Sequence, residues 1–210
     1  MGKSPAKVIL LPDGNNRGSP DTVPDRRAQW CGQIHVLRHG SGPRVAAPFI
    51  NADIIQRDEL RDPSPKASYH AAEIAAERRR EFMADGRSFV METVFSHPSK
   101  LDLLNDARAA GYRIIVFHLM LASPALAVAR VAERISEGGH PVPEEKIRTR
   151  FDRNGPLIRK AAMLADRAMI FDASALNEAP VMPVELASGQ IVRRADKVPE
   201  WFDGLYRDLG

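Results

Sequence analysis

The residues of this chain that can do chemistry follow short apolar runs. Asp53 comes just after Phe49-Ile50, Glu92-Thr93 close Ser88-Phe89-Val90-Met91, and Asp172 closes Met169-Ile170-Phe171. Each run reads as a strand, so three carboxylates fall at or just past strand ends. Ligands of open α/β sheets gather at those ends, and a carboxylate within hydrogen-bond reach of a substrate hydroxyl can act as a general base. The bland readings stand beside this one: Asp53 as a cap for the turn at Ile54-Ile55, and Glu92-Thr93 as the start of a loop. Arg130 and Arg134, four residues apart, share a helix face. Such a pair faces either an anion or water.

The elements that must position these residues alternate. An extended piece at Phe49–Asn51 is followed by a helix over Lys66–Ala84 and a strand ending at Glu92. A helix over Ser99–Ala110, closed by Gly111, leads to a strand over Arg113–Leu121. Ser123-Pro124 starts a helix running to about Ser136, cap first and proline next. Pro143-Glu144-Glu145 starts another that reaches Leu164. Met169–Phe171, Gln190–Arg193 and Pro199–Leu209 complete the pattern as strand, strand and helix. Strands alternating with helices imply an α/β domain with a mainly parallel sheet covered on both faces.

Before Phe49 the pattern fails. Residues 13–44 are rich in Gly, Pro, Arg, Asn and Asp and hold no sustained period. Lys7–Leu11 can form an opening strand, but Pro12-Asp13-Gly14-Asn15-Asn16 is no phosphate loop, and G-x-x-x-x-G-K-[ST] occurs nowhere. The expected division is an aberrant N-terminal segment, 1–48, without the opening strand and phosphate loop, and a domain over 49–210.

Phe49-Ile50-Asn51-Ala52-Asp53, Met91-Glu92-Thr93, Ala109-Ala110-Gly111-Tyr112-Arg113, Ala129-Arg130-Val131-Ala132-Glu133-Arg134 and Gly138-Gly139-His140-Pro141-Val142-Pro143 resemble, in this order and spacing, the zeta-toxin family of P-loop kinases. The resemblance covers residues 49–175 and implies a three-layer P-loop NTPase-type fold using ATP and Mg2+. It makes Asp53 the acceptor of the substrate hydroxyl proton, Glu92 and Thr93 substrate-binding residues, and Arg134 a lid arginine over the transferred phosphate. Arg130 and His140 belong to the same lid. The family's second lid arginine falls near His140, and Arg148 or Arg150 can stand in for it. The implied acceptor is a nucleotide sugar such as UDP-N-acetylglucosamine, and an antitoxin protein is an implied partner.

The family carries its Walker A loop shortly before the F-I-N-A-D stretch. Codons permitted for Arg26–Leu37, read one base later, spell A-G-P-N-G-A-G-K-S-T-F. Thr22–Asp25 permit an apolar L-F-L-I ahead of it. A frame slip over about residues 21–42 therefore accounts for the missing loop. Without that loop and its lysine, the backbone N–H cradle for phosphates is lost.

Two rival signals lie in the same segment. Arg38-His39-Gly40, after Ile34–Leu37, resembles the R-H-G motif of histidine phosphatases. Cys31, His35 and His39 recur every four residues, as metal ligands on a helix do, but Gly32 and Gly40 weaken that helix and no fourth ligand is evident. The single cysteine excludes an internal disulfide and fits a cytoplasmic setting. With 30 Lys and Arg against 27 Asp and Glu, the charge suits an anionic ligand without arguing for nucleic acid. No apolar run spans a membrane, and Met1–Leu11 has no signal-peptide architecture.

Overall fold

The computed structural model describes residues 6–12, 47–93, 95, 97–136, 142–176 and 178–209. Its strands are β1 (Ala6–Pro12), β2 (Phe49–Ile50), β3 (Phe89–Thr93), β4 (Tyr112–Met120), β5 (Arg167–Asp172), β6 (Val181–Ala187) and β7 (Gln190–Arg194). Its helices are α1 (Ala52–Ile54, continuing as a π-helical turn over Ile55–Leu60), α2 (Pro65–Ala84), α3 (Ser99–Ala109), α4 (Pro124–Ser136), α5 (Glu144–Leu164) and α6 (Glu200–Leu205), with a 3-10 turn at Arg207–Leu209.

Local chemistry sets most boundaries. Ser64 Oγ accepts the Ala67 N–H (3.2 Å) and Pro65 takes the first helical position of α2. Ser123 Oγ accepts the Leu126 N–H (3.3 Å) ahead of Pro124 at the start of α4. Such caps satisfy amides that the first turn leaves without partners. After α3 the chain turns at Gly111, whose φ of 76° favours glycine. Glu144 and Glu145 sit in the first turn of α5, where the helix dipole favours negative charge.

The strands form one sheet in the order β2-β3-β1-β4-β5-β6-β7. β2 runs parallel to β3 and β4 parallel to β5, and β1 is antiparallel to both β3 and β4. β2, β3, β4 and β5 therefore point the same way, and β7 joins them through the antiparallel β6. This is an α/β fold of the P-loop NTPase type with its N-terminal strand antiparallel to both neighbours.

β6 is the strand that the sequence pattern misses. Pro183 interrupts it, and a proline inside a run argues against a strand because it cannot donate to a ladder. The structure accommodates Pro183 at a register shift: Ile170 pairs with Val184, the next pair is Asp172 with Val181, and Pro183 accepts from the Ala195 N–H (2.8 Å) on its other side.

Side chains alternate between the faces of the sheet. Val8, Leu10, Phe89, Met91, Ile114, Val116 and Ile170 face one cluster with Ala71 and Ala75 of α2, Leu104 of α3, Ile158 of α5 and Phe202 of α6. Ile9, Val90, Ile115, Phe117, Met169 and Phe171 form the other face, whose cluster contains strand residues and Ala47 but no helix among the described residues. The helical layer expected on that second face is not among the described residues. α4 and α5 pack beyond the strand ends, with Ala127, Val131 and Ile147 against Leu121 and Ala173.

Two polar side chains tie the helical layer to the sheet. The Tyr112 hydroxyl lies 2.9 Å from the Phe82 carbonyl and 3.1 Å from that of Arg87, fastening the end of α2 to the start of β4. His118, fully buried on β4, has its Nδ1 2.9 Å from the Tyr206 hydroxyl, and Tyr206 stacks on Phe202 (centroids 4.9 Å apart). Burial pushes the His118 imidazole down to about 3, so it is neutral at neutral pH.

Tyr112→Phe removes the one hydroxyl donor shared by the Phe82 and Arg87 carbonyls, of which Phe82 keeps the Arg87 N–H (2.8 Å), and is expected to cost about 1 kcal/mol in urea unfolding. His118 supplies a pH test. Its folded pKa lies below its unfolded value of about 6.5, so the unfolded state binds the proton first. Stability is retained above about pH 6.5 and falls on acidification toward about pH 3, by at most about 1.4 kcal/mol per pH unit. Urea titrations from about pH 7 to about pH 4 should show a shallower decline in His118→Phe than in the unaltered chain.

Candidate functional site

All the parallel strands end at one edge of the sheet, and the candidate site is built there. Ile50 and Met91 are register partners on β2 and β3. Asp53 and Glu92 thus leave neighbouring strands at the same edge, three residues and one residue further on. The helix cap after β2 is Asn51, whose Oδ1 accepts the N–H groups of Asp53 (2.7 Å) and Ile54 (3.4 Å). The capping role considered for Asp53 is thereby filled by Asn51, and Asp53 sits exposed in the first turn of α1. In the order Asn-Ala-Asp, the first residue shapes the turn and the third carries its carboxylate to the surface.

Glu92 and Thr93 close β3, both half-buried. Thr93 Oγ1 accepts the N–H of Phe95 (3.2 Å), so its hydroxyl organises the start of the next loop. The hydroxyl hydrogen is still available to donate, because a threonine oxygen accepts and donates independently. Phe95 is fully buried at φ 46°, a left-handed conformation that costs a non-glycine residue free energy and clusters at functional sites. Nothing in the sequence marks Phe95 as special, since aromatic residues are ordinary core material.

At the other side of the edge, Asp172 is committed locally. Its Oδ1 accepts the Ser174 N–H (2.9 Å) and the Ser174 hydroxyl, and Ser174 Oγ accepts the Ala122 N–H (2.8 Å). Asp172 therefore shapes the loop after β5 and joins it to the end of β4. Arg130 serves the same loop. Its Nη2 donates to the Ala173 carbonyl and to that of Ala175 (2.9 Å), which holds α4 against the edge. Arg134 lies one turn further along α4, and its side chain is outside what is described.

Arg148 forms an exposed i,i+4 ion pair with Glu144 (2.8 Å) on α5, and Arg150 is exposed on the same helix. His140 and the Gly138-Gly139 turn lie outside the described residues. So do the Arg38-His39-Gly40 motif and the Cys31, His35, His39 set. No group of three or more metal-ligating side chains occurs among the described residues, and no described helix is long and apolar enough to cross a membrane.

The central slot of the sheet departs from what a phosphate loop needs. Such a loop leaves the C-terminal end of a strand at the ligand edge and opens a helix. The slot between β3 and β4 is filled by β1, whose first residue, Ala6, pairs with Thr93 and His118 at that edge. Its last residue, Pro12, pairs with Tyr112 at the opposite edge. Six residue steps separate these ends, about 20 Å along the strand. The chain thus leaves the central slot at the end remote from Asp53 and Glu92.

Against known proteins, the family model described as Zeta toxin matches residues 51–178. No curated protein and no solved structure matches the chain. The matched span runs from Asn51, the cap that presents Asp53, through the Glu92-Thr93 strand end and α4 to the loop organised by Asp172 and Ser174. On that match, which covers more than half of its length, the chain belongs to the zeta-toxin family.

Proposed function

We propose that this chain derives from an ATP- and Mg2+-dependent kinase that phosphorylates a hydroxyl of a nucleotide sugar such as UDP-N-acetylglucosamine, and that in its present form it does not use ATP. The observation that carries the first half is the shared edge at which Asp53 and Glu92-Thr93 leave β2 and β3. Asp53 would take the proton of the acceptor hydroxyl, and Glu92 and Thr93 would hold the acceptor. Arg134 would face the transferred phosphoryl group, where charge grows in the transition state. Arg130, His140, Arg148 and Arg150 are the further lid positions. The clamp on the Ala173 and Ala175 carbonyls favours a supporting task for Arg130.

The second half rests on the fit of ATP to the residues present. They do not fit it. The chain has no G-x-x-x-x-G-K-[ST], hence neither the lysine nor the Ser/Thr that the motif supplies to phosphate and Mg2+. The reversed β1 leads the chain away from the ligand edge. A frame slip over about residues 21–42 explains both, because the lost reading supplies its own strand ahead of its loop. In this reading residues 49–210 are the kinase-type domain and 1–48 the altered segment. The compartment expected is the cytoplasm, with an antitoxin protein as a further partner.

The present chain is on this reading a non-catalytic remnant, and the antiparallel β1 is the observation that favours it. Thermal unfolding tests this, since a ligand stabilises only what it binds. The present chain is expected to show no shift with ATP-Mg2+, and a clear upward shift would sink the remnant reading. Sequencing the gene across codons 15–45 tests the slip itself. Bases that spell the loop in no frame would return the Arg38-His39-Gly40 phosphatase reading to consideration. The frame-restored chain is expected to transfer phosphate from ATP to a nucleotide sugar, and a panel of such sugars yielding no phosphorylated product would overturn the kinase assignment. In that restored chain Asp53→Asn should lower turnover by about 10²–10⁴-fold while leaving the ATP-induced thermal shift in place.

A further inference from the structure

The chain between β3 and α3 passes along the edge that carries Asp53 and Glu92-Thr93. β3 ends there at Thr93. α3 begins on the same side, because it ends next to Gly111 and Tyr112 at the opposite edge and its 11 residues rise about 16 Å. Phe95 anchors the connection: it is fully buried, and its N–H is held by Thr93 Oγ1 (3.2 Å). It shares one apolar cluster with Ile55, two residues after Asp53, and with Leu104 of α3. His97 follows two residues later, at most about 7 Å of chain from that anchor, and it is exposed.

The His97 imidazole is held in one orientation. Its Nδ1 accepts the Ser99 N–H (3.2 Å) and lies 3.0 Å from Ser99 Oγ. A backbone N–H can only donate, so Nδ1 presents its lone pair, and in the neutral ring the proton sits on Nε2. The ring does what an asparagine does in an Asx turn, with a second nitrogen left over. Among the described residues that nitrogen has no partner. The nearby backbone is already committed. The Ser99, Lys100 and Leu101 amides of the first turn of α3 donate to His97 Nδ1, to the His97 carbonyl (3.2 Å) and to the Pro98 carbonyl (2.7 Å). A Ser99 nucleophile activated by His97 would lack oxyanion donors for the same reason.

We propose that the His97 Nε2–H binds an oxygen of the nucleotide-sugar acceptor at this edge and so helps to select the acceptor. This role rests on the kinase-type reading of Asp53 and Glu92-Thr93, which it extends by one specificity-determining residue on the following loop. Thr93 offers its hydroxyl hydrogen at one end of that loop and His97 its ring N–H near the other. Phe95 fastens both to the core between them. A neutral N–H of fixed direction recognises an oxygen without adding charge, and a site built to hydrogen-bond a group discriminates against ligands that lack it.

The test is titration of the present chain with UDP-N-acetylglucosamine, read by calorimetry and by nitrogen NMR of the histidine rings. Saturable binding is expected, with the His97 Nε2 resonance shifted by the ligand. His97→Asn keeps an acceptor where Nδ1 lies and ends short of Nε2, so it should weaken binding about three- to tenfold with the thermal midpoint unchanged. His97→Gln keeps a donor near Nε2 and gives up the turn, so it should bind within about twofold of the unaltered chain and unfold slightly earlier. A residue that only shaped the loop gives the reverse ranking, with Asn binding normally and Gln weakly, and that ranking would overturn the proposal. So would a His97 resonance unmoved at saturation, or no saturable binding. Phosphorylated product from the frame-restored chain alongside any of those results would strike His97 alone. No product from that chain alongside the expected ranking would strike the kinase reading alone.

Discussion

The backbone ladder between β3 and β4 is the constraint on which the rest of this structure depends. Each of those strands turns a row of N–H and C=O groups toward the other across a single slot, deep in the core, where a polar group without a partner costs about 1–3 kcal/mol. Something must fill the slot. Residues Ala6–Pro12 do so, with Val8, Ile9 and Leu10 fully buried and paired on both sides. An apolar strand satisfies the ladder in either direction, so pairing and burial are preserved while direction is not. Phosphate binding depends on direction, because only the C-terminal end of a strand delivers a loop to the ligand edge. The sheet is therefore complete although the chain leaves this slot at the edge opposite Asp53 and Glu92.

Local contacts build the edge that carries Asp53 and Glu92-Thr93. Asp53 is presented by the Asn51 cap, Glu92-Thr93 by the end of β3, and the loop after β5 by the Asp172, Ser174 and Arg130 contacts. The side chains in these contacts all belong to residues after Phe49, and the helices behind them pack on one face through Ala71, Ala75, Leu104, Ile158 and Phe202. Tyr112 and His118 pin that helical layer to β4 from within the core.

Most elements after Phe49 are legible in the order of the residues. The apolar runs at Phe89–Met91 and Ile114–Leu121, the Ser-Pro helix start at Ser123-Pro124 and the glycine at 111 are local signals, and the helices and strands begin and end within a few residues of them. β6 is not legible, because Pro183 contradicts a strand unless a register shift accommodates it, and that shift exists only against β5. Asp53, Glu92 and Asp172 look alike in sequence as acids at strand ends, yet Asp172 accepts from Ser174 while the helix that carries Asp53 is capped by Asn51.

By itself the sequence determined the family, through ordered motifs from Phe49 onward, and the absence of a phosphate-loop motif, since a missing G-x-x-x-x-G-K-[ST] is visible in the letters alone. It also determined that Lys7–Leu11 could be a strand, because the apolar run after Lys7 suits a two-sided burial. Only the tertiary structure decided which way that strand runs and that Asp172 is engaged by Ser174. Strand direction is a property of pairing partners far away in the chain, and it is not encoded in local spacing.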